Sequence, residues 1–275
     1  MPAQGPNQPN GAQKGTVART VELLRLIAES AGNPSGKELA EAAGLPAPSA
    51  HRLLALLIEQ GMVVQDSRTK RYAPGIEFSR QAALVLRNRN VADIARPFLE
   101  RLVEESEEAC LLGQYLGDGR MMFVEEVPSR DPLGYRIEKY VPASVAWGAS
   151  GRAILAHLDE EAIAEVVRRG DPAPGTGAAM PSKKVMLGDL EEIRERGFAF
   201  TTEGNKIANS VGIAAAIFSR DGNVLGSLCL TIPALRFKRG IEKRLGKLIV
   251  GSASDLSDSL SHQEWVIPSA GAIRA

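Results

Sequence analysis

The sequence predicts an α+β chain in two parts: an N-terminal winged helix-turn-helix, then a linker helix, then a C-terminal domain whose helices flank an antiparallel sheet. Three observations predict it. Two short helical patterns are separated by the tight turn Gly44-Leu45-Pro46. The apolar period changes from helical to alternating over residues 62–73. Beyond residue 91, alternating runs recur around Asp-Gly pairs, with helical patterns clustered to either side.

Taken in order, the first helix spans residues 16–30, where Val17, Val21, Leu24 and Ile27 recur at three- and four-residue steps. Ala31 to Pro34 breaks it, and Ser35 then precedes Glu38 by the three positions of a capping box. A second helix over 36–43 ends at Gly44, and a third starts at Pro48 or Ser49, with Leu53, Leu54, Leu57 and Ile58 on one stripe up to Gly61. Strands over 62–65 and 71–73, joined by the polar turn 66–70, make a wing. A helix over 75–87, ending in arginines, leads to the second domain. There we expect a helix over 93–105 and strands over 109–116, 121–127 and 134–140. Helices follow over 148–157, 160–169 and 187–196, then strands over 198–202, 211–218 and 224–232. A closing helix covers 237–260. Asp118-Gly119 and Asp221-Gly222 mark the hairpin turns. The expected divisions are a disordered tail at 1–15, the winged helix at 16–78, the linker helix at 79–92, the larger domain at 93–262 and a flexible tail at 263–275.

A chain of 275 residues supports two domains. Its 44% hydrophobic and 24% charged content is ordinary globular usage, which excludes fibrous and wholly disordered classes. Net charge is zero, so a nucleic-acid partner must be argued from local charge. Residues 1–92 carry eleven Lys or Arg against seven acids, so the basic excess sits at the front of the chain. Cys110 and Cys229 form no CxxC pair and no disulfide framework, consistent with a reducing cytoplasm. No apolar run approaches the length that spans a bilayer, and the Pro/Gly/Gln/Asn-rich start lacks the apolar core of a signal peptide. The protein is therefore expected in the cytoplasm.

In a helix-turn-helix the second helix offers its N-terminal residues to base edges while flanking cations and hydroxyls hold phosphates. Here that helix opens Ala47-Pro48-Ser49-Ala50-His51-Arg52. A guanidinium such as that of Arg52 pairs with guanine or phosphate, and Ser49 and His51 are donors; Arg68, Lys70 and Arg71 put three cations on the wing. With Lys37 on the preceding helix, these are the candidate contacts to a double-stranded operator. The opposing reading, a snorkelling Arg52 and a solvated wing tip, explains the charge but not its coincidence with the helix pair.

The segments Arg19-Thr20-Val21-Glu22-Leu23-Leu24, Glu38-Leu39-Ala40, Gly44-Leu45-Pro46, His51-Arg52-Leu53-Leu54 and Tyr72-Ala73-Pro74-Gly75 resemble the IclR family of bacterial regulators. Gly151 to Ala156, Ile193 to Phe198 and Ile213 to Phe218 resemble the second domain of that family, in the same order. The resemblance implies a GAF-like effector domain for a small molecule, a carboxylate metabolite or aromatic acid, and a homodimer or homotetramer on a palindromic operator. By matching segments it implies effector contacts from Ala149, Ser150, Thr201, Gly212, Cys229 and Thr231, with Trp147 as a stacking candidate. Where family members carry acids after the Gly-Phe strand, this chain has Thr201 and Thr202.

Blander roles compete at single residues. A lone Trp147 is more often a core anchor, Cys229 on an apolar strand a small buried hydrophobe, and His157 at a helix end a partner for carbonyls. An enzyme would need more than the coexistence of Cys229 and His157: the sequence has no Gly-x-Ser-x-Gly elbow, P-loop, dinucleotide fingerprint or metal-ligand spacing. The expectation is a ligand-responsive regulator with no catalytic residues, metal or cofactor. A winged helix serving as a protein-interaction module is the third reading, which salt-sensitive DNA binding would exclude.

Overall fold

The computed structural model describes residues 15–88, 91–135, 137–202 and 209–261. It divides into two compact units, residues 1–90 and 91–275. The expected tails, apart from Gly15, lie outside the described residues, as do positions 89 and 90 of the expected linker.

The first unit contains α1 (Thr16–Glu29), α2 (Gly36–Ala42), α3 (Ala47–Glu59), a wing of β1 (Val63–Gln65) and β2 (Tyr72–Pro74), and α4 (Ile76–Asn88). Local chemistry sets these boundaries. The Ser35 hydroxyl accepts from Glu38 N–H at 3.3 Å while Ser35 N–H donates to the Glu38 carboxylate at 2.6 Å, completing the capping box that starts α2. Gly44 takes a left-handed φ of +63°, and Leu45 N–H reaches back to the Ala40 carbonyl at 2.8 Å, closing α2 in a Schellman turn. That closure leaves only Leu45 and Pro46 before α3. The helix starts at Ala47, ahead of the expected Pro48 or Ser49, because the Pro46 carbonyl accepts from Ser49 and Ala50 N–H, and Pro48 lacks an N–H that would be orphaned there anyway. Leu53, Leu54 and Leu57 of α3 pack with Leu23 and Ile27 of α1, Leu39 of α2, Val63 and Tyr72. Each fully buried leucine contributes roughly 1.5–3 kcal/mol.

The second unit is a six-stranded antiparallel sheet in the order β5-β4-β3-β8-β7-β6. Its strands are β3 (Ala109–Gly117), β4 (Arg120–Val127), β5 (Ala143–Ser144), β6 (Ala199–Thr201), β7 (Ser210–Phe218) and β8 (Val224–Pro233). Helices α5 (Val91–Ser106) and α9 (Glu242–Ser261) cover one face, packing Leu99, Leu102, Leu245, Ile249 and Leu256 on Leu112, Ile213, Leu228 and Leu230. The other face, with Leu111, Phe123, Ala199, Ala214, Ala216 and Cys229, meets α6 (Gly148–Leu155), α7 (Glu160–Arg169) and α8 (Lys183–Arg196). The α+β class, the antiparallel sheet and the flanking helices agree with the sequence reading. Asp118 (φ +57°) and Gly119 (φ +66°) form the two-residue turn between β3 and β4, as expected of a primed hairpin turn. The β7–β8 hairpin uses a three-residue loop, Arg220-Asp221-Gly222, closed by Ser219 N–H to the Asn223 carbonyl at 2.8 Å.

Three expectations are corrected. Residues 134–140 form no strand in their described part: Tyr140 turns the backbone to φ +64°, its N–H bonds the Phe123 carbonyl, and the sheet edge goes to Ala143–Ser144 instead. The alternation of Tyr135 and Ile137 with charged residues finds no partner strand. Helix α8 begins at Lys183, not 187, because the Ser182 hydroxyl caps Val185 N–H. Helix α9 begins at Glu242, not 237, because Gly240 (φ +97°) turns the chain and donates its N–H to the Glu242 carboxylate at 2.6 Å.

Candidate nucleic-acid interface and ligand site

In the first unit the buried stripe of α3 leaves Ala47, Pro48, His51, Arg52, Ala55, Leu56 and Glu59 exposed and Ser49 half-buried, and Ile58, expected on the stripe, is exposed at its edge. Arg52 makes no ion pair among the described residues. The His51 ring lies at the edge of this arc: a Cβ added to Gly36 would stand 3.0 Å from His51 Cε1 and 3.4 Å from the Tyr72 ring, so a side chain there would have to displace the imidazole by a few tenths of an ångström. Lys37 is exposed on α2 and lies 3.9 Å from Glu41, one turn on.

The wing tip is shaped by Asp66, whose carboxylate accepts from Arg68 N–H (3.0 Å), Thr69 N–H (2.6 Å) and the Thr69 hydroxyl (2.8 Å). The Thr69 bonds, first among these, hold the Asp66 carboxyl below the usual range. Arg68 and Lys70 project from this tip, exposed and without ion pairs among the described residues. Arg71 behaves differently. Its guanidinium donates to the Asn33 carbonyl at 2.7 Å and lies 3.4 Å from the Glu38 carboxylate, while Ser35 and Arg71 form a β-bridge and Tyr72 N–H bonds the Pro34 carbonyl at 2.9 Å. Arg71 thus ties the returning wing strand to the α1–α2 loop. The Ser35 backbone N–H, with lesser help from Arg71, holds the Glu38 carboxyl below its ordinary value.

In the second unit sheet register assembles the ligand candidates. Thr201 pairs with Gly212, and Gly212 with Thr231, so the three lie in one row across β6, β7 and β8. This row faces α6: a Cβ on Gly212 would stand 2.9 Å from the Ala149 methyl, 3.1 Å from Thr201 Oγ1 and 3.7 Å from Ala149 N. Ala149 and Ser150 belong to the first turn of α6, which has no side-chain cap, so its N–H groups are donors at a positive dipole end. Cys229, two residues from Thr231, lies on the same face. Cys110, on the neighbouring strand, points to the opposite face, and burial pushes its thiol pKa up. The two thiols stand in separate cores.

Trp147, the N-cap residue of α6, is 2% exposed, and its Nε1–H donates to the Asp171 carbonyl at 2.9 Å, which fixes the indole within the core. His157 stacks edge-on against Phe218, with ring centroids 4.9 Å apart. Desolvation, then the nearby Arg194, lowers its pKa.

Sequence reasoning missed two buried polar groups beside this row. The Ser227 hydroxyl, fully buried, pairs with that of Ser150, and both approach Gly113, where an added Cβ would lie 2.7 Å from Ser150 Oγ and 3.0 Å from Ser227 Oγ. The signal was present: Ser227 continues the two-residue period of Thr231 and Cys229. Arg152, 7% exposed, bonds the Ala146 carbonyl and, at 3.1 Å, Asp189, so it fastens α6 to its preceding loop and to α8. No spacing rule marks a cation on an apolar helix face as buried. Among the described residues no group of His, Cys, Asp and Glu has metal-binding geometry, and no helix is long and apolar enough to cross a membrane.

Comparison with known proteins also finds two parts, the second beginning within α4, ahead of the division between the compact units. Residues 16–67 match the IclR helix-turn-helix domain, and residues 83–258 match the bacterial transcriptional regulator IclR C-terminal domain. The transcriptional repressor IclR of Escherichia coli is 27% identical over 258 residues, covering 90% of this chain and 91% of that protein. Among solved structures, an IclR transcriptional regulator from Alicyclobacillus acidocaldarius superposes with a TM-score of 0.76 at 22% identity, covering 90% of this chain and 99% of that one. An IclR homologue from Microbacterium hydrocarbonoxydans complexed with 4-hydroxybenzoate gives a TM-score of 0.73 at 20% identity, covering 90% and 100%.

Proposed function

The chain belongs to the IclR family of bacterial transcriptional regulators, and from that premise we propose that it is a cytoplasmic, ligand-responsive regulator that binds a palindromic operator as a homodimer or homotetramer and senses a small organic acid. It is a regulator with a helix-turn-helix DNA-binding domain and a C-terminal effector domain, and its relatives are repressors, not enzymes. On this reading Lys37, Ser49, His51 and Arg52 face the groove and its walls, and Arg68 and Lys70 hold phosphates.

The observation that carries the ligand assignment is the row Thr201–Gly212–Thr231 set against the uncapped start of α6. Two hydroxyls and free backbone N–H groups around a glycine offer donors to a carboxylate, without a cation to hold it. Ala149, Ser150 and Cys229 complete that lining. The replacement of acids by Thr201 and Thr202 removes like charge that would repel an anion. The relative that holds 4-hydroxybenzoate makes aromatic acids a natural first class to test.

The test has two arms. A thermal-shift screen of small aliphatic and aromatic acids, 4-hydroxybenzoate included, should find at least one that raises the melting temperature, since a ligand bound to the native state stabilises it by RT ln(1 + [L]/Kd). The same acid should then change the affinity of the full chain for operator DNA. Stabilisation by amines or sugars but by no acid would overturn the carboxylate assignment.

A further inference from the structure

The exposed arc of α3 carries a narrow chemistry. With Ala50, Leu53, Leu54 and Leu57 buried, a helix of 3.6 residues per turn centres its opposite side on Pro48, Arg52, Ala55 and Glu59, and Leu56 lies one turn beyond Arg52. Leu56 is 47% exposed. Single exposed leucines are ordinary on protein surfaces, but this one joins Pro48 and Ala55 in an apolar strip around a lone guanidinium. The helix contains no Asn or Gln, the side chains that read adenine through paired hydrogen bonds. His51 lies against Gly36 at the edge of the arc, and Ser49 is half-buried. Apart from the Glu59 carboxylate at the far end of the helix, two turns beyond Arg52, the groups left to face base edges near Arg52 are therefore aliphatic carbons. In the major groove the one base feature that aliphatic carbon recognises is the thymine C5-methyl.

We propose that α3 reads each half-site as a guanine flanked by thymines, with Arg52 on guanine O6 and N7 and with Ala55 and Leu56 packed on thymine methyl groups. This rests on the reading of α3 as the groove helix and adds to it the base chemistry that sets specificity. Affinity at the thymine positions then comes from excluding water between methyl groups, and it persists at salt concentrations that weaken the phosphate contacts.

Deoxyuridine, which differs from thymidine only by that methyl, isolates the contact. The full chain is used to select duplexes from a random library, and the preferred duplex is resynthesised with each thymidine replaced singly by deoxyuridine. The guanine read by Arg52 is located as the position whose selection relaxes in Arg52→Ala. At one or more thymines within two base pairs of it, deoxyuridine should weaken binding about three- to fivefold, the scale of one methyl group removed from water. Leu56→Ala or Ala55→Gly should erase that penalty while the protein still melts cooperatively; Leu56→Ala is on the surface and keeps a strong helix former. Tolerance of deoxyuridine at every thymine, penalties that persist in both variants, or preferred half-sites without thymine beside the guanine would each overturn the proposal. Failure of the chain to bind any duplex would instead remove the DNA reading on which it stands.

Discussion

Arg52 projects from the second turn of α3 with no carboxylate to neutralise it among the described residues. Arg52→Ala should weaken specific DNA binding by roughly 1–3 kcal/mol and relax the base preference at one position. Competition titration against a scrambled duplex measures both, and an unchanged ratio of specific to non-specific affinity would count against the groove assignment. The three wing cations divide by their partners. Arg68 and Lys70 have no ion pair among the described residues, so neutralising either to Gln should lower the slope of log K against log salt by about one. Arg71 spends its guanidinium on Asn33 and Glu38. Arg71→Gln should leave the slope near the native value while loosening the wing, which amide exchange at Tyr72 and Ala73 would register. A full unit of slope lost in Arg71→Gln would return that residue to the phosphate contacts.

At the scale of elements, α2 and the wing share one carboxylate. Glu38 closes the capping box with Ser35 and receives Arg71. Ser35→Ala should cost about 0.5–2 kcal/mol of stability, the usual value of an N-cap. The Glu38 and Asp66 pKa values are both depressed in the fold. Groups of that kind stabilise above their unfolded pKa, and the contribution is lost as pH falls through the ordinary carboxylate range toward the lowered values. The wing should therefore loosen on acidification before α3 unfolds, and amide exchange followed from pH 7 to pH 3 should show Arg68 to Tyr72 exposed first. Simultaneous loss of wing and α3 would argue against this local control. In the second unit Gly212 permits the close approach of α6 to the sheet. A Cβ there meets Ala149, so Gly212→Val should destabilise by about 1–3 kcal/mol through overpacking and blunt any response to the effector.

For the whole molecule the question is how a ligand bound to one unit alters DNA held by the other. A ligand shifts an equilibrium only by its differential affinity for two states, which on the proposed reading are two arrangements of the paired chains. Thr231→Val keeps the shape of a buried side chain in the row opposite Gly212 and removes one hydroxyl. We expect it to bind operator as the native chain does when no effector is present, yet to lose most of the effector's influence on that binding. A native response in Thr231→Val would show that the acid binds elsewhere. A fragment of residues 1–90, one compact unit, should bind a two-half-site duplex more weakly than the full chain, because half-site spacing rewards only heads that are held as a pair. Equal affinity would remove the second unit from pairing.

What short-range chemistry controls is written in the linear chain. The capping box at Ser35, the left-handed closure at Gly44, the Asp118-Gly119 turn and the leucine stripe of α3 are each specified within a few residues, so the helix-turn-helix and the hairpins are legible from residue order. Family segments add the names of the ligand candidates, but not their arrangement. Which wing cations are free is settled by long-range contact, since Arg71 meets Asn33 and Glu38 across more than thirty residues of chain. The same holds for residues 134–140, because a strand forms only where a neighbour offers an edge, and here Ala143 and Ser144 take it. Ser150 and Ser227 lie 77 positions apart and meet only because β8 and α6 are held together over glycine and alanine. Periodicity fixes which face a residue takes; which residues share that face across the sheet depends on strand register, a property of the pairing and not of any one strand.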